Sequence, residues 1–252
     1  MLEVRLRHRL RDLRLESFSD YCAYLFQHGT LAQELPDLID VVTTNKTDFF
    51  RESRHFDFLT GTVVPSLTAQ HGAGLSRPFS VWSAGCSTGE EAYTLAMMLQ
   101  QEAERRRGFR FRILGTDISN KVLEQARRAV YKSAVVQPIP QDLRSKYLLR
   151  SADREKRLYR IVPELRQSVE FRRLNFMDSD FELPDLLDVI FCRNVIIYFD
   201  QPTRERLLGR LVGQLQPGGY LFLGHSESLN GIRLPVNLAG PTAYRKFYGA
   251  EL

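Results

Sequence analysis

The 252-residue chain has only three cysteines, Cys22, Cys86 and Cys192. They are odd in number and lack metal-ligand spacing, so a thiolate metal site is excluded and a reducing cytoplasm is the compartment that fits. No apolar run approaches the length of a membrane span. Charge begins at the third residue (Glu3, Arg5, Arg7, Arg9, Arg11), which leaves no room for the apolar core of a signal peptide. Neither a Gly-Lys-Ser/Thr phosphate loop nor a G-x-G-x-x-G dinucleotide fingerprint is present. Internal repeats and low-complexity tracts are also absent, so a solenoid or a disordered linker array is excluded. An Asn-Pro-Pro-Tyr motif is missing, and no aromatic residues interleave with the basic ones as a base-stacking surface requires, so nucleic acid is not expected as a partner.

What is there is ordinary in composition: 43% apolar, 26% charged, with a formal net charge of +5. That suits one folded core, or one core with a small appendage. Nothing asks for more than a monomer.

Residues 1–44 read as a helical piece. Leu6, Leu10 and Leu13 recur at helical spacing, and Arg7, Arg11 and Arg14 form a row beside them. A second amphipathic segment spans Ser17 to Gln27 and stops near Gly29; a short third one spans Pro36 to Val42. Arg5, Arg7, Arg9, Arg11 and Arg14 make a basic face, either simply solvated or a docking surface for an acidic partner. Residues 45–78, with Gly72, Gly74 and Pro78, read as a linker.

From residue 79 onward strands and helices alternate. Strands are expected at 79–84, 110–116, 169–174, 188–192, 220–224 and 243–248. Helices are expected at 89–107, 119–130 with Ser119 as N-cap, and 202–215 with Pro202 in the first turn. Pro217-Gly218-Gly219 reads as a turn. The segment 131–170 reads as an insertion, with a short helix at Gln141–Leu149 and a small hairpin pairing Leu158–Val162 with Ser168–Phe171. The pattern gives an α/β fold with a doubly wound parallel sheet and a ligand at the carboxyl ends of its strands.

The turn after the first strand, Gly85-Cys86-Ser87-Thr88-Gly89-Glu90-Glu91, is the most informative stretch. Small residues let a ligand approach the backbone, and a helix start offers free N–H groups. Two carboxylates there repel a pyrophosphate but suit an amino group or a sulfonium. Asp117, at the end of the second strand, suits ribose hydroxyls. Adenosylmethionine fits that description, while a small-residue turn without a ligand is the alternative.

Four motifs then resemble one family. They are Thr43-Thr44-Asn45-Lys46-Thr47-Asp48-Phe49-Phe50-Arg51-Glu52, Trp82-Ser83-Ala84-Gly85-Cys86-Ser87-Thr88-Gly89-Glu90-Glu91, Asp188-Val189-Ile190-Phe191-Cys192-Arg193-Asn194-Val195-Ile196-Ile197-Tyr198-Phe199, and Gly224-His225-Ser226-Glu227-Ser228. In this order they resemble the chemotaxis receptor methyltransferases of the CheR type. The resemblance implies a Rossmann-like class I methyltransferase domain (79–252), a small inserted β subdomain and a small N-terminal helical domain. It implies transfer of a methyl group from S-adenosylmethionine to glutamate carboxylates on the cytoplasmic helices of chemoreceptors, leaving S-adenosylhomocysteine.

It also implies site residues. Asn45, Thr47 and Arg51 match the linker motif over the cofactor. Glu91, not separable from Glu90 by sequence, matches the methionine or ribose end. Asp117 matches the acidic residue after the second strand, and Asn175 and Phe176 the pair beside the adenine. Cys192 and Arg193 match the strand end facing the methionine part, and Tyr198 a tyrosine near the transferable methyl. Arg51, Arg193 and Tyr198 are the candidate catalytic groups, the arginines as forks for carboxylates. Two departures stand out: the N-terminal domain reads as shortened, and no glycine occurs from 116 to 208. The stretch Ser151-Ala152-Asp153-Arg154-Glu155-Lys156-Arg157 stands where members that bind a receptor-tail pentapeptide carry a glycine-containing loop. A tether-independent enzyme is expected; a cofactor-binding sensor or scaffold without turnover is the alternative.

Overall fold

The computed structural model describes residues 2–27, 29–153, 155–183 and 185–249. Three helices open the chain: α1 (Leu2–Asp12), α2 (Phe18–Cys22), which continues through a π-helical turn at Ala23–Gln27, and α3 (Leu31–Val42). Ser17 and Asp20 close a reciprocal capping box at the start of α2. Leu10, Tyr21 and Leu25 form a small core of their own. Helix α3 begins ahead of Pro36 and carries it internally, at the cost of one helical hydrogen bond. Arg9 spans that proline, bonding Glu34 through Nε and Nη2 (both 2.6 Å) and Asp37 through Nη2 (2.5 Å).

The segment 45–78 is not a linker in the structural sense. It holds α4 (Arg54–Phe58), a π-helical turn at Leu59–Val63 and α5 (Val64–His71), in unbroken succession. Phe56, Leu59, Val63, Val64 and Leu67 are fully buried in the main core, so this piece is integral to the α/β body.

The body follows as β1 (Phe79–Ala84), α6 (Glu90–Arg105), β2 (Phe111–Asp117), α7 (Asn120–Arg128), β3 (Val130–Lys132), α8 (Gln141–Tyr147), β4 (Leu148–Arg150), β5 (Leu158–Ile161), α9 (Pro163–Gln167), β6 (Val169–Arg173), β7 (Leu187–Cys192), α10 (Gln201–Gly213), β8 (Leu215–Leu223), β9 (Val236–Gly240) and β10 (Ala243–Lys246). The large sheet has the order β6-β2-β1-β7-β8-β10-β9. Pairing is parallel from β6 to β8 and antiparallel for β10 and β9. Every residue of β1 and β7 is buried, as expected for central strands covered on both faces. Ser119 caps α7 by accepting the N–H of Val122, and Asp200 caps α10 by accepting that of Thr203.

Three local expectations fail. Leu158–Val162 does not pair with Ser168–Phe171: β5 sits between β3 and β4 in a separate antiparallel sheet, whereas β6 joins β2 in the main one. Alternating residues announce a strand, but its partner is set by non-local packing. Pro217-Gly218-Gly219 is a bulge inside β8, where the register with β7 slips between Leu187 and Val189. A Cβ on Gly219 would lie 2.9 Å from the Asp188 carbonyl oxygen, so the bulge needs glycine there. The last strand ends at Lys246, and β9 beside it was not expected.

From β1 the chain steps outward to β2 and β6, then returns to the other side of β1 at β7. The strand order therefore reverses between β1 and β7, and a crevice opens at their carboxyl ends.

Candidate active site

The turn after β1 is shaped by backbone constraints. Gly85 has φ +83°, and a Cβ there would lie 2.6 Å from Val195 Cγ2. The N–H groups of Gly85 and Cys86 both donate to the Thr116 carbonyl (2.8 and 2.9 Å), which fixes the turn to the end of β2. Asp117 completes the frame. Its Oδ2 accepts from the Ser87 N–H (2.9 Å) and its Oδ1 from the Ser119 N–H (3.0 Å). Burial pushes its carboxyl above the usual range, more than these backbone donors pull it down.

The two glutamates of the turn part company. Glu91 faces the crevice; its Oε1 accepts from the Ser83 hydroxyl (2.6 Å), and its Oε2 lies 2.9 Å from Arg193 Nε. Glu90 turns away, accepting from the Thr88 hydroxyl (2.6 Å), and burial pushes its pKa up to about 7.

A strap formed by residues 43–51 covers the crevice. The Ser87 hydroxyl donates to the Asn45 carbonyl (2.8 Å), the Phe50 N–H to Thr94 Oγ1 (3.2 Å), and Arg51 to the Lys46 carbonyl (3.2 Å). The opposite wall comes from Leu174, Asn175, Phe176 and Met177 after β6, and the floor from the segment after β7. The cleft measures about 450 Å³, within the range of small-molecule sites. Asn45, Thr47, Arg51, Glu91, Asp117, Asn175, Phe176, Arg193 and Tyr198 all line it. Cys192 does not: it is sealed in the core beneath, packed among apolar residues, and burial pushes its thiol up. The family resemblance matched it to a cofactor contact, but strand alternation points its side chain, like that of Ile190, onto the face packed in this core.

Arg193 is 7% exposed and does not project freely. Beside Glu91 it donates to the Arg51 carbonyl (2.7 Å) and to His55 Nδ1 (3.1 Å). Tyr198 is the opposite case, 61% exposed on a short 3₁₀ turn at the cleft mouth. Its loop is anchored by Glu227, whose carboxylate accepts the N–H groups of Asn194 (2.8 Å), Ile196 (3.0 Å) and Gly224 (2.7 Å). A Cβ on Gly224 would lie 2.9 Å from that carboxylate, so the glycine and Glu227 form one device. Both lie in the Gly224-His225-Ser226-Glu227-Ser228 motif, where an acidic residue three positions beyond a strand-end glycine is the sequence signal for this clamp.

The basic face of α1 splits in two. Arg9 is taken up by Glu34 and Asp37, and Arg5 donates to the carbonyls of Val42 and Thr43 (both 2.9 Å). These two brace the domain and are withdrawn from the expected partner-binding row. Arg7, Arg11 and Arg14 remain exposed. Among the described residues, Glu52, His55 and His225 bring ligand atoms within 4.8 Å of one another, but Arg193 Nη1, 3.8 Å from Glu52 Oε2, opposes a cation there. No helix of the described chain is long and apolar enough to cross a membrane.

The cleft thus joins an acidic side (Glu91, Asp117), an apolar wall (Leu174, Phe176, Val195) and a basic strap (Lys46, Arg51). That set fits a ligand with a flat heterocycle, a diol and a cationic amino-acid end. Comparison with known proteins agrees. The model of the CheR methyltransferase SAM-binding domain matches residues 45–244, and that of the CheR methyltransferase all-alpha domain matches residues 1–43. The chemotaxis protein methyltransferase of Borreliella burgdorferi is 39% identical over 98% of this chain and 86% of its own length. Chemotaxis protein methyltransferase 2 of Pseudomonas aeruginosa is 40% identical over 95% and 82%, and the Escherichia coli chemotaxis protein methyltransferase 37% identical over 97% and 82%. With both family domains matched in order and a cleft of fitting chemistry between strap and sheet, the chain belongs to the CheR family of S-adenosylmethionine-dependent chemotaxis methyltransferases.

Proposed function

We propose that this cleft methylates glutamate side chains on the cytoplasmic helices of chemoreceptors, giving methyl esters. The observation that carries the reading is Tyr198. It stands exposed at the mouth of a cleft whose interior holds Glu91 and Asp117 and whose strap holds Arg51. An acceptor on a large, solvent-presented helix must reach the reacting centre from that mouth.

S-adenosylmethionine supplies, when bound, a methyl group made electrophilic by its sulfonium. Asp117 would hold the ribose hydroxyls with the lone pairs left by its two backbone donors. Asn175, Phe176 and Leu174 would flank the adenine, and Asn45 and Thr47 would cover it from the strap. Glu91 would face the cationic end. A glutamate acceptor has a reference pKa of about 4.3 and arrives already ionised at neutral pH, so no base has to remove a proton. What the protein supplies is placement: effective concentration and alignment lower such barriers by up to roughly 7–11 kcal/mol. Arg51, at the strap, and Tyr198, at the rim, would orient the acceptor. One acceptor oxygen must stay free, because an arginine bound to both would blunt its nucleophilicity. Arg193 takes no direct part; it holds Glu91 and the strap.

Exposed Arg7, Arg11 and Arg14 would face the acidic receptor arm. The β4–β5 connection, residues 151–157, contains no glycine, and Asp153 pairs with Lys156 across it (3.3 Å). Arg154 of this stretch lies outside the described residues. The absence of glycine supports an enzyme that does not need the receptor-tail pentapeptide.

The test is transfer of labelled methyl to a receptor cytoplasmic fragment, with and without its tail. Alkali-labile label at equal rates on both is expected. Alkali-stable label would remove carboxylate methylation, and dependence on the tail would remove tether independence alone.

A further inference from the structure

Beneath the strap lies a buried group that the transfer chemistry does not use. His55, on α4, is fully buried. Its Nε2 lies 2.9 Å from both the Pro241 carbonyl and Thr242 Oγ1 in the connection between β9 and β10. The carbonyl can only accept, so Nε2 carries the proton and Nδ1 presents a lone pair. That lone pair receives Arg193 Nη1 at 3.1 Å. The imidazole packs against Phe191, Phe222 and His225, and burial together with the Arg193 charge depresses its pKa to about 4. It is neutral in the cell.

Two carboxylates compete for Arg193. Glu91, on the cleft wall, lies 2.9 Å from Nε, an ion pair in which the N–H is not aimed at the oxygen. Glu52, on the far side, has Oε2 buried and without a hydrogen-bond donor, 3.8 Å from Nη1 and 3.5 Å from His55 Nδ1. Glu52 is held in a left-handed backbone conformation (φ +57°), and its other oxygen accepts the His225 N–H (3.3 Å). A carboxylate oxygen that is buried without a donor attracts a nearby guanidinium strongly. Nη1 itself is held by the neutral acceptor at His55 Nδ1, while Nε faces Glu91 and Nη2 bonds the Arg51 carbonyl.

We propose that His55 is a positioning residue that keeps Arg193 on the cofactor side: by accepting Nη1 it prevents the guanidinium from collapsing onto Glu52, and so preserves the Arg193 contacts to Glu91 and to the Arg51 carbonyl that close the strap over the cleft. The bond from Nε2 to Pro241 is a separate, purely structural tie.

The two ring nitrogens can be separated by substitution. In His55→Asn the side-chain oxygen stands where Nδ1 stood, so the acceptor for Arg193 is kept and the tie to Pro241 is lost. In His55→Gln the amide reaches toward Pro241, and the acceptor for Arg193 is lost. The readouts are calorimetric affinity for S-adenosylhomocysteine and thermal melting. His55→Asn is expected to melt lower than wild type with affinity within about twofold. His55→Gln is expected to lose about fivefold or more in affinity, the scale of one net hydrogen bond. Adding Glu52→Gln to His55→Gln removes the competing charge and is expected to restore affinity to within about twofold. The proposal is overturned if affinity follows melting temperature across the three variants, or if Glu52→Gln fails to rescue. Should His55→Gln not fold, His55→Asn decides: weakened affinity in a folded protein overturns the proposal, and unchanged affinity at a lower melting temperature supports it.

Discussion

Asp117→Asn tests how the cleft holds its ligand. In the structure the carboxylate does two jobs, framing the turn after β1 through Ser87 and the start of α7 through Ser119. The substitution keeps one acceptor oxygen but turns an NH₂ group toward a backbone N–H. An orphaned buried donor costs about 1–3 kcal/mol. Against this, the asparagine removes a charge whose burial is unfavourable, as the raised pKa shows. The two effects oppose, so stability should change by less than about 2 kcal/mol. Affinity has no such offset. Losing a charged acceptor for ribose hydroxyls is expected to cost about 1.5–3 kcal/mol, or about 10- to 150-fold in Kd. Calorimetry with S-adenosylhomocysteine and urea denaturation on the same sample measure both. A folded variant that binds within twofold of wild type would falsify the ribose role and leave Asp117 as a turn clamp only.

Three further outcomes are expected. Glu90 has a pKa raised from 4.5 to about 7 by burial, so its contribution to stability is full below about 4.5 and is lost as pH rises through 7, by up to about 3 kcal/mol. Glu90→Gln should therefore be more stable than wild type at pH 8; it should also uncover the opposite trend of His55, whose depressed pKa costs stability as pH falls from 6.5 toward 4. Urea midpoints at pH 5 and 8 check both signs, and an unchanged pH dependence in the variant would contradict them. Tyr198→Phe should lower kcat while leaving S-adenosylhomocysteine affinity within about twofold, since Tyr198 is exposed at the rim; parallel losses would mean a packing role. On α1, Arg7→Glu with Arg11→Glu should reduce methylation of a receptor arm with stability within about 0.5 kcal/mol, whereas Arg9→Ala, which leaves buried Glu34 with the Tyr21 hydroxyl but without its cation, should cost about 3 kcal/mol. Denaturation and a methylation assay distinguish the two faces of that helix.

The parallel strands were legible because a central strand buried on both faces is a continuous apolar run: Phe79–Ala84 was bounded to the residue. Part of the cleft lining was legible from the residues themselves, Glu91 in the small-residue turn and Asp117 and the segment after β7 at strand ends, whereas Asn45, Thr47, Arg51, Asn175 and Phe176 were expected only from the family resemblance. What escaped depends on partners distant in the chain. The helical run 54–71 carries Gly61 and Pro65 and is followed by Gly72, Gly74 and Pro78, the residues on which the segment read as a linker. The spacing of Phe56, Leu59, Val63 and Leu67 was the helical signal, and it is the core contact of those side chains that makes the helix. Arg5 and Arg9 read as members of an exposed row because Glu34, Asp37 and the Val42 carbonyl, which claim them, lie on another helix. The choice of Glu91 over Glu90 needed Arg193, about a hundred residues away, to be placed beside it.

The most direct test of the central claim is tandem mass spectrometry of a chemoreceptor cytoplasmic fragment after incubation with the protein and S-adenosylmethionine. The account predicts methyl groups on glutamate side chains alone, lost in mild alkali, and absent when Asp117→Asn replaces the wild-type enzyme at limiting cofactor. Methyl groups on amines or on other side chains, or none with a cofactor-saturated wild-type protein, would contradict it.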